Sequence, residues 1–193
     1  MNLAHIIDDH AADSVAIISS GRSTTYAELR EQVERFRGGL AALGVRDGDR
    51  VGLLLGNSPH FAIAYLAAVG LGAVVVPLNP TSPGPELENE LGVVEPKVVI
   101  VDRISAVNWS NIDPTHVASV EAVISTDVAA AINSVSFDEL VTTSEPLAAV
   151  EAVPGELLAD RSLEFGEAQH DVALVEGLEE ILEHRGSGGV DVG

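Results

Sequence analysis

The sequence predicts an α/β fold, a mostly parallel sheet with crossover helices, and three observations predict it. The runs "GLLL", "AVVV" and "VVIV" at residues 52–55, 73–76 and 98–101 are short and uniformly apolar, as expected of strands with helices on both faces. Segments of helical spacing separate them, and strand–helix alternation is the signature of parallel crossover units. Glycine and proline punctuate the boundaries, as turns between such units require.

Each element has its own local reason. "VAII" at 15–18 reads as a short strand, followed by a turn at "SSGRS". Thr25 and Glu28 then form a capping box, in which hydroxyl and carboxylate satisfy each other's backbone donors. Leu29, Val33, Phe36, Leu40 and Leu43 recur at helical spacing until Gly44 ends the helix. After a polar turn, a strand covers roughly Arg50 to Leu55. Ser58 as N-cap and Pro59 at the first position start a helix reaching about Val69. "AVVV" is the next strand, "SPGPELENELGVVEP" a shorter helix, and "KVVIVD" a strand from Lys97 to Val101. "VEAVIS" and "SFDEL" give a further strand and a helical turn. The proline-rich "PLNPTSPGP", residues 77–85, is a corner: Pro77 closes a strand, Asn79 and Pro80 turn the chain, and Pro83 and Pro85 prepare the next helix.

The uncharged stretch 61–78 is eighteen residues long, enough to raise a membrane helix. Gly70, Gly72 and the β-branched run before Pro77 instead predict a buried helix, a tight turn and a strand, with no transmembrane segment. Thirty acidic residues against ten basic ones give a net charge of −20. That field repels phosphate backbones, so nucleic acid and anionic membrane surfaces are poor partners. Cysteine is absent, which removes disulfides, thiolate nucleophiles and cysteine–metal sites. The start lacks the pattern of a signal peptide, and the expected location is cytoplasmic. Two regions are expected: an α/β unit over 1–150 and a divergent acidic tail over 151–193. The tail carries eleven acidic and two basic residues. Within it, Val175, Leu178 and Leu182 make the seam of one amphipathic helix over about 171–185.

"TYAEL" opening a helix, then "GVRDGDRVGLLLGNSPHFAIAYLAAVGLGAVVVPLNP" and "KVVIVD", in that order over about residues 24–102, resemble the front of the adenylate-forming enzymes. This superfamily includes acyl-CoA synthetases, peptide-synthetase adenylation domains and luciferases, and the chain is most similar to the acyl-CoA ligase branch. The resemblance implies the first part of a large N-terminal domain. It also implies a two-step reaction, in which a carboxylate attacks ATP to give an acyl-adenylate and CoA displaces AMP. In such enzymes ATP, Mg2+ and CoA meet a Ser/Thr/Gly-rich phosphate loop and a catalytic lysine, all downstream of the matched segment. Where that loop is expected, this chain has "GELLADRSLEFGEAQHDVALVEG"; its single lysine is Lys97. The expectation is therefore a truncated relative of a fatty-acid/acyl-CoA ligase, inactive alone and binding no cofactor by itself. Two alternatives stand beside it: an interaction module, docking on a complementary ligase chain or self-associating, and a remnant of a frameshift or deletion near residue 150.

No catalytic, cofactor-binding or metal-binding residue is assigned from the sequence. "SSGRSTT" at 19–25 lacks a lysine and reads as a turn, and "GSGG" at 186–189 follows a helix rather than opening one. His5, His10, Asp8 and Asp9 share no helix face and read as a solvated, partly mobile end. His60, early in a helix after "GNSP", either borders a cleft or sits on the surface; Asn57 is expected to bond turn backbone. The remaining histidines, His116, His170 and His184, are scattered. Asp47, Asp49, Glu88 and Glu90 read as a solvated face with Asp8 and Asp9, and Tyr26, Tyr65, Phe36 and Phe61 as packing groups.

Overall fold

The structure is a computed structural model that describes residues 2–127, 131 and 133–151. The expected tail helix and "GSGG" lie outside the described residues, as do His170 and His184.

The chain opens with a 3-10 helix, Leu3–Ile7, capped by the Asn2 side chain, which accepts from the Ala4 amide at 2.9 Å. Ala4 and Ile7 are buried and pack this end on the core, while Asp8, Asp9 and His10 beside them are exposed, as expected. Strands β1 (Val15–Ser19) and β2 (Arg22–Thr25) then form an antiparallel hairpin. The turn expected over "SSGRSTT" thus contracts to Ser20 and Gly21, both at positive φ (50° and 76°). "RSTT" becomes a strand without an apolar run because its partner, not burial, fixes its backbone.

Helix α1 (Tyr26–Ala42) starts with the full capping box expected of Thr25 and Glu28. It buries Leu29, Val33, Phe36 and Leu40 on one stripe. Strand β3 (Arg50–Leu54) and helix α2 (Pro59–Gly70) follow, the latter capped by Ser58. A tight turn at Gly72, with φ of 78°, feeds β4 (Val74–Pro77). Among the described residues, no helix is long and apolar enough to cross a membrane. Helix α3 (Gly84–Val94) and strand β5 (Val98–Val101) come next. A short helix α4 (Ser105–Trp109) and a 3-10 helix, Pro114–Val117, lead to β6 (Ala122–Ser125). Strand β7 (Val135–Ser136) and helix α5 (Phe137–Thr143) complete the elements of the described residues.

Strands β3 to β7 form a five-stranded sheet in the order β4-β3-β5-β6-β7, with every pairing parallel. Two apolar clusters sandwich it. One gathers α1, α2 and α5 around Phe36, Leu40, Leu53, Ile100 and Phe137; the other sets α3 and α4 on Leu54, Val99 and Val101. Strands β3 and β5 match the expectation of full cover, but β4 does not. It is an edge strand with Val74 half exposed; its apolar run reflects valine's fit to extended backbone more than burial.

After α5 the chain crosses back over α1 as an extended strap, residues 144–150. Leu147 N donates to Glu34 O at 3.0 Å, Arg35 Nη1 to Ser144 O at 3.1 Å, and Arg37 Nη1 to Leu147 O at 2.8 Å. At its end Val150 N donates to Gly70 O at 2.8 Å, and Asn2 Nδ2 donates to Val150 O at 2.9 Å.

Candidate functional site

In parallel α/β sheets ligands favour the carboxyl ends of the strands, and this rim is the candidate site. Its centre is Asp102, which follows β5. One carboxylate oxygen accepts from the Gly56 amide at 2.9 Å, beyond the end of β3. The other accepts from the amides of Ile104 and Ser105, each at 2.9 Å, and from Ser105 Oγ at 3.2 Å. Ser105, itself fully buried, also donates to Leu54 O at 2.6 Å. Two adjacent strand ends are thereby stitched through one Asp–Ser pair.

Burial acts to raise the Asp102 pKa, yet the amides of Gly56, Ser105 and Ile104 and the Ser105 hydroxyl together hold it below its ordinary value of 3.8. Hydrogen bonds to the charged form favour that form. The stabilisation is complete above the unfolded value and is lost as pH falls through the lower folded value. Asp102→Asn should thus cost about 1–3 kcal/mol at neutral pH, because an amide N–H₂ would face a backbone donor. Urea denaturation at descending pH checks it: the gap between wild type and variant should close on acidification. A gap independent of pH would contradict it.

Beside the rim, at the start of α2, a cleft of ≈ 450 Å³ lies between the β1–β2 hairpin, α1 and α5. Ser20, Arg22 and Thr24 line one side, and His60, Ile63 and Phe137 the other. His60 therefore both borders a cleft and keeps 37 % of its side chain exposed, with Nε2 3.8 Å from Asp138 Oδ1. Its ring stands edge-on to Phe137 at 4.8 Å.

The other sequence candidates are dispersed. Asn57 makes none of the backbone bonds expected of it among the described residues; Asp102 takes the Gly56 amide instead. Asn79 does build its corner, accepting from Thr81 N at 3.0 Å and Thr81 Oγ1 at 2.8 Å. His5 is bonded to Asp8 at 2.6 Å, while His10 stacks on Tyr26. No group of three or more potential metal ligands gathers among the described residues. The carboxylates are less solvated than expected, for Glu88 binds His116 at 2.9 Å and Asp49 binds Lys97 at 3.1 Å. Lys97 Nζ also donates to Gly44 O at 3.0 Å. That bridge sits at the amino end of β5, about 13 Å of strand away from the rim. Sequence reading missed Asp102 and Ser105, whose signal was an Asp-x-x-Ser directly after an apolar run, the pattern of a side-chain-capped turn.

An ATP phosphate cradle needs free backbone N–H groups and a cation. At this rim the amides of Gly56, Ile104 and Ser105 are already committed to a carboxylate, and the single lysine points its charge elsewhere. Among the described residues, these three amides and the lysine are therefore not available to a triphosphate at this rim.

Comparison with known proteins places these features. The family model described as AMP-binding enzyme matches residues 4–174. Over 85 residues, 44% of this chain, the sequence is 39% identical to 4-coumarate--CoA ligase 4 of Arabidopsis thaliana, of which that segment is 15%. Over 111 residues, 55% of this chain, it is 36% identical to the medium/long-chain-fatty-acid--CoA ligase FadD6 of Mycobacterium tuberculosis, covering 19% of that protein. The fold superposes on the anthranilate CoA ligase AuaEII with a TM-score of 0.73 at 24% identity, over 79% of this chain and 30% of that one. The chain thus spans under a third of the length of these relatives.

Proposed function

Because this chain belongs to the AMP-binding enzyme family, we propose that it supplies the opening α/β layer of an acid–CoA ligase and that its 193 residues alone do not activate a carboxylate. The relatives named above are all CoA ligases of carboxylic acids, which favours an acid, ATP and CoA as the substrates of the complete fold. One observation carries the claim of inactivity. Lys97, the chain's single lysine, is anchored by Gly44 O and Asp49 at the amino edge of the sheet, opposite the rim where phosphates would gather. Stabilising charge that develops on phosphorus requires a cation at the reacting centre, and a lysine bonded at the far edge does not provide it.

The layer's role is then to form one wall of the site. A companion reading follows from the half-exposed Val74 on edge strand β4, the exposed Ile104 just before α4 and the exposed Val107 on it: the parts that hold the phosphates reside in residues outside this sequence and dock here. One assay addresses both. The purified chain, with ATP, magnesium and a panel of fatty and aromatic acids, is expected to release no pyrophosphate above a protein-free control. Adding a polypeptide that carries the lysine-bearing phosphate loop of a ligase should restore release under the companion reading. Pyrophosphate release by the chain alone would overturn the proposal.

A further inference from the structure

A cluster of titratable groups that the rim does not use joins α3 to the connection between α4 and β6. Glu88 of α3 reaches across with both oxygens. Its Oε1 accepts from the Asp113 amide at 2.8 Å, and its Oε2 lies 2.9 Å from His116 Nδ1. Asp113 caps the 3-10 helix that carries His116, accepting from Thr115 N at 2.9 Å and Thr115 Oγ1 at 2.7 Å. The His116 amide in turn donates to Asp113 O at 3.0 Å. On the same two segments, Ile112 and Val117 belong with Leu87 and Leu91 to the second apolar cluster. Polar bonds and apolar contact therefore fasten the connection to α3 together.

The charges that act on the ring are those of Glu88, from α3, and Asp113, from the start of its own turn. Helix α4, which also packs on α3, has no titratable residue between Ser105 and Trp109. The bond to Glu88 and the two carboxylate charges lift the His116 pKa above its ordinary 6.5. Bonds from the Asp113 amide and from His116 hold Glu88 below its ordinary 4.5, although the Asp113 charge opposes this. A raised histidine contributes stability that is whole below its unfolded value and lost as pH climbs through the folded one. A lowered carboxylate contributes stability that is whole above its unfolded value and lost as pH falls through the folded one. The cluster is thus tightest between 4.5 and 6.5. Above that window the ring loses its charge, and Glu88 and Asp113 repel each other with no cation to offset them. The His116 side chain is 61% exposed, so protons reach it without unfolding.

We propose that Glu88, Asp113 and His116 form a proton-operated clasp, which holds α3 to the α4–β6 connection while the imidazole is charged and loosens it when the ring is neutral. Histidine suits such a role because its charge changes between about pH 5 and 8. Loosening frees the segment that carries Ile112 and Val117 from Leu87 and Leu91 and leaves the five-stranded sheet in place.

The test uses the full chain without nucleotide, so its outcome is separate from that of the pyrophosphate assay. Followed by NMR, the His116 ring should titrate above 6.5 in the wild type and fall back toward that value in Glu88→Gln. Amide hydrogen exchange, corrected for its intrinsic pH dependence, reads the clasp itself. The amides of Asp113 and His116 should be best protected near about pH 5.5 and lose roughly twofold to fivefold by about pH 8.5, the range set by exposed ion pairs. His116→Gln keeps a neutral hydrogen-bonding group and should remove that alkaline loss. The amides of α1 should show no such loss in either protein. A His116 midpoint that Glu88→Gln leaves unchanged would overturn the clasp, as would an alkaline loss that persists in H116Q or extends equally over α1.

Discussion

Phe36→Ala should lower the unfolding free energy by about 3–5 kcal/mol, the usual cost of removing a fully buried aromatic ring. Phe36 is 0 % exposed and Phe137 1 %; their rings stack at 4.1 Å with planes 24° apart. Two losses combine on truncation: the transfer free energy of the ring and the cavity left between α1 and α5. The damage should also be local in a recognisable way. Helix α5 has seven residues, far below the length at which a helix persists unsupported, so it is held by the ring of Phe137. Urea denaturation gives the global cost, and amide hydrogen exchange should show lost protection across residues 137–143. Since Phe137 also supports His60, the wall of the large cleft would go with it. A cost below about 1 kcal/mol with α5 protection intact would contradict this account of the core.

Gly38→Ala should destabilise the chain by about 2 kcal/mol, although helix propensity alone predicts the opposite sign. Alanine is favoured over glycine in a helix interior by about 0.8–1.0 kcal/mol. At residue 38, however, an added Cβ would run into the carbonyl oxygen of Glu145. A backbone atom cannot swing aside as a side chain can, so the strap must lift. Overpacking of this kind costs about 1–3 kcal/mol. The flanking bonds from Leu147 N to Glu34 O and from Arg35 to Ser144 O add about 1 kcal/mol each if they break. The clash therefore wins. Limited proteolysis should find new cleavage within residues 144–150, with a lower melting temperature. A variant that melts higher than wild type would refute the strap's close packing.

Much of the sheet was legible because its signals are local. The capping box at Thr25 and Glu28, Ser58 before Pro59, and the glycine turn before β4 all express chemistry between near neighbours in sequence. What escaped depends on partners far along the chain. Strand β2 is "RSTT" in sequence, and only pairing with β1 makes it a strand. Asn57 is the residue expected to bond the turn after β3, but Asp102 takes the Gly56 amide there, and it can do so only because β5 lies beside β3. Nothing local to Lys97 names its partner, because Asp49, 48 residues away, holds it. The bond from Arg37 to Leu147 O carried no signal at all, for an arginine amid apolar helix positions looks like any long side chain resting its stem on the core.

The suture between Asn2 and Val150, 148 positions apart in the chain, bears on how the polypeptide is made. Ribosomes deliver the amino terminus first, at roughly 5–20 residues per second. Asn2 must therefore wait on the order of ten seconds for its acceptor to be synthesised. Throughout that interval the apolar side chains of Ala4 and Ile7 lack their final lid, and nascent-chain chaperones have their best opportunity to engage them.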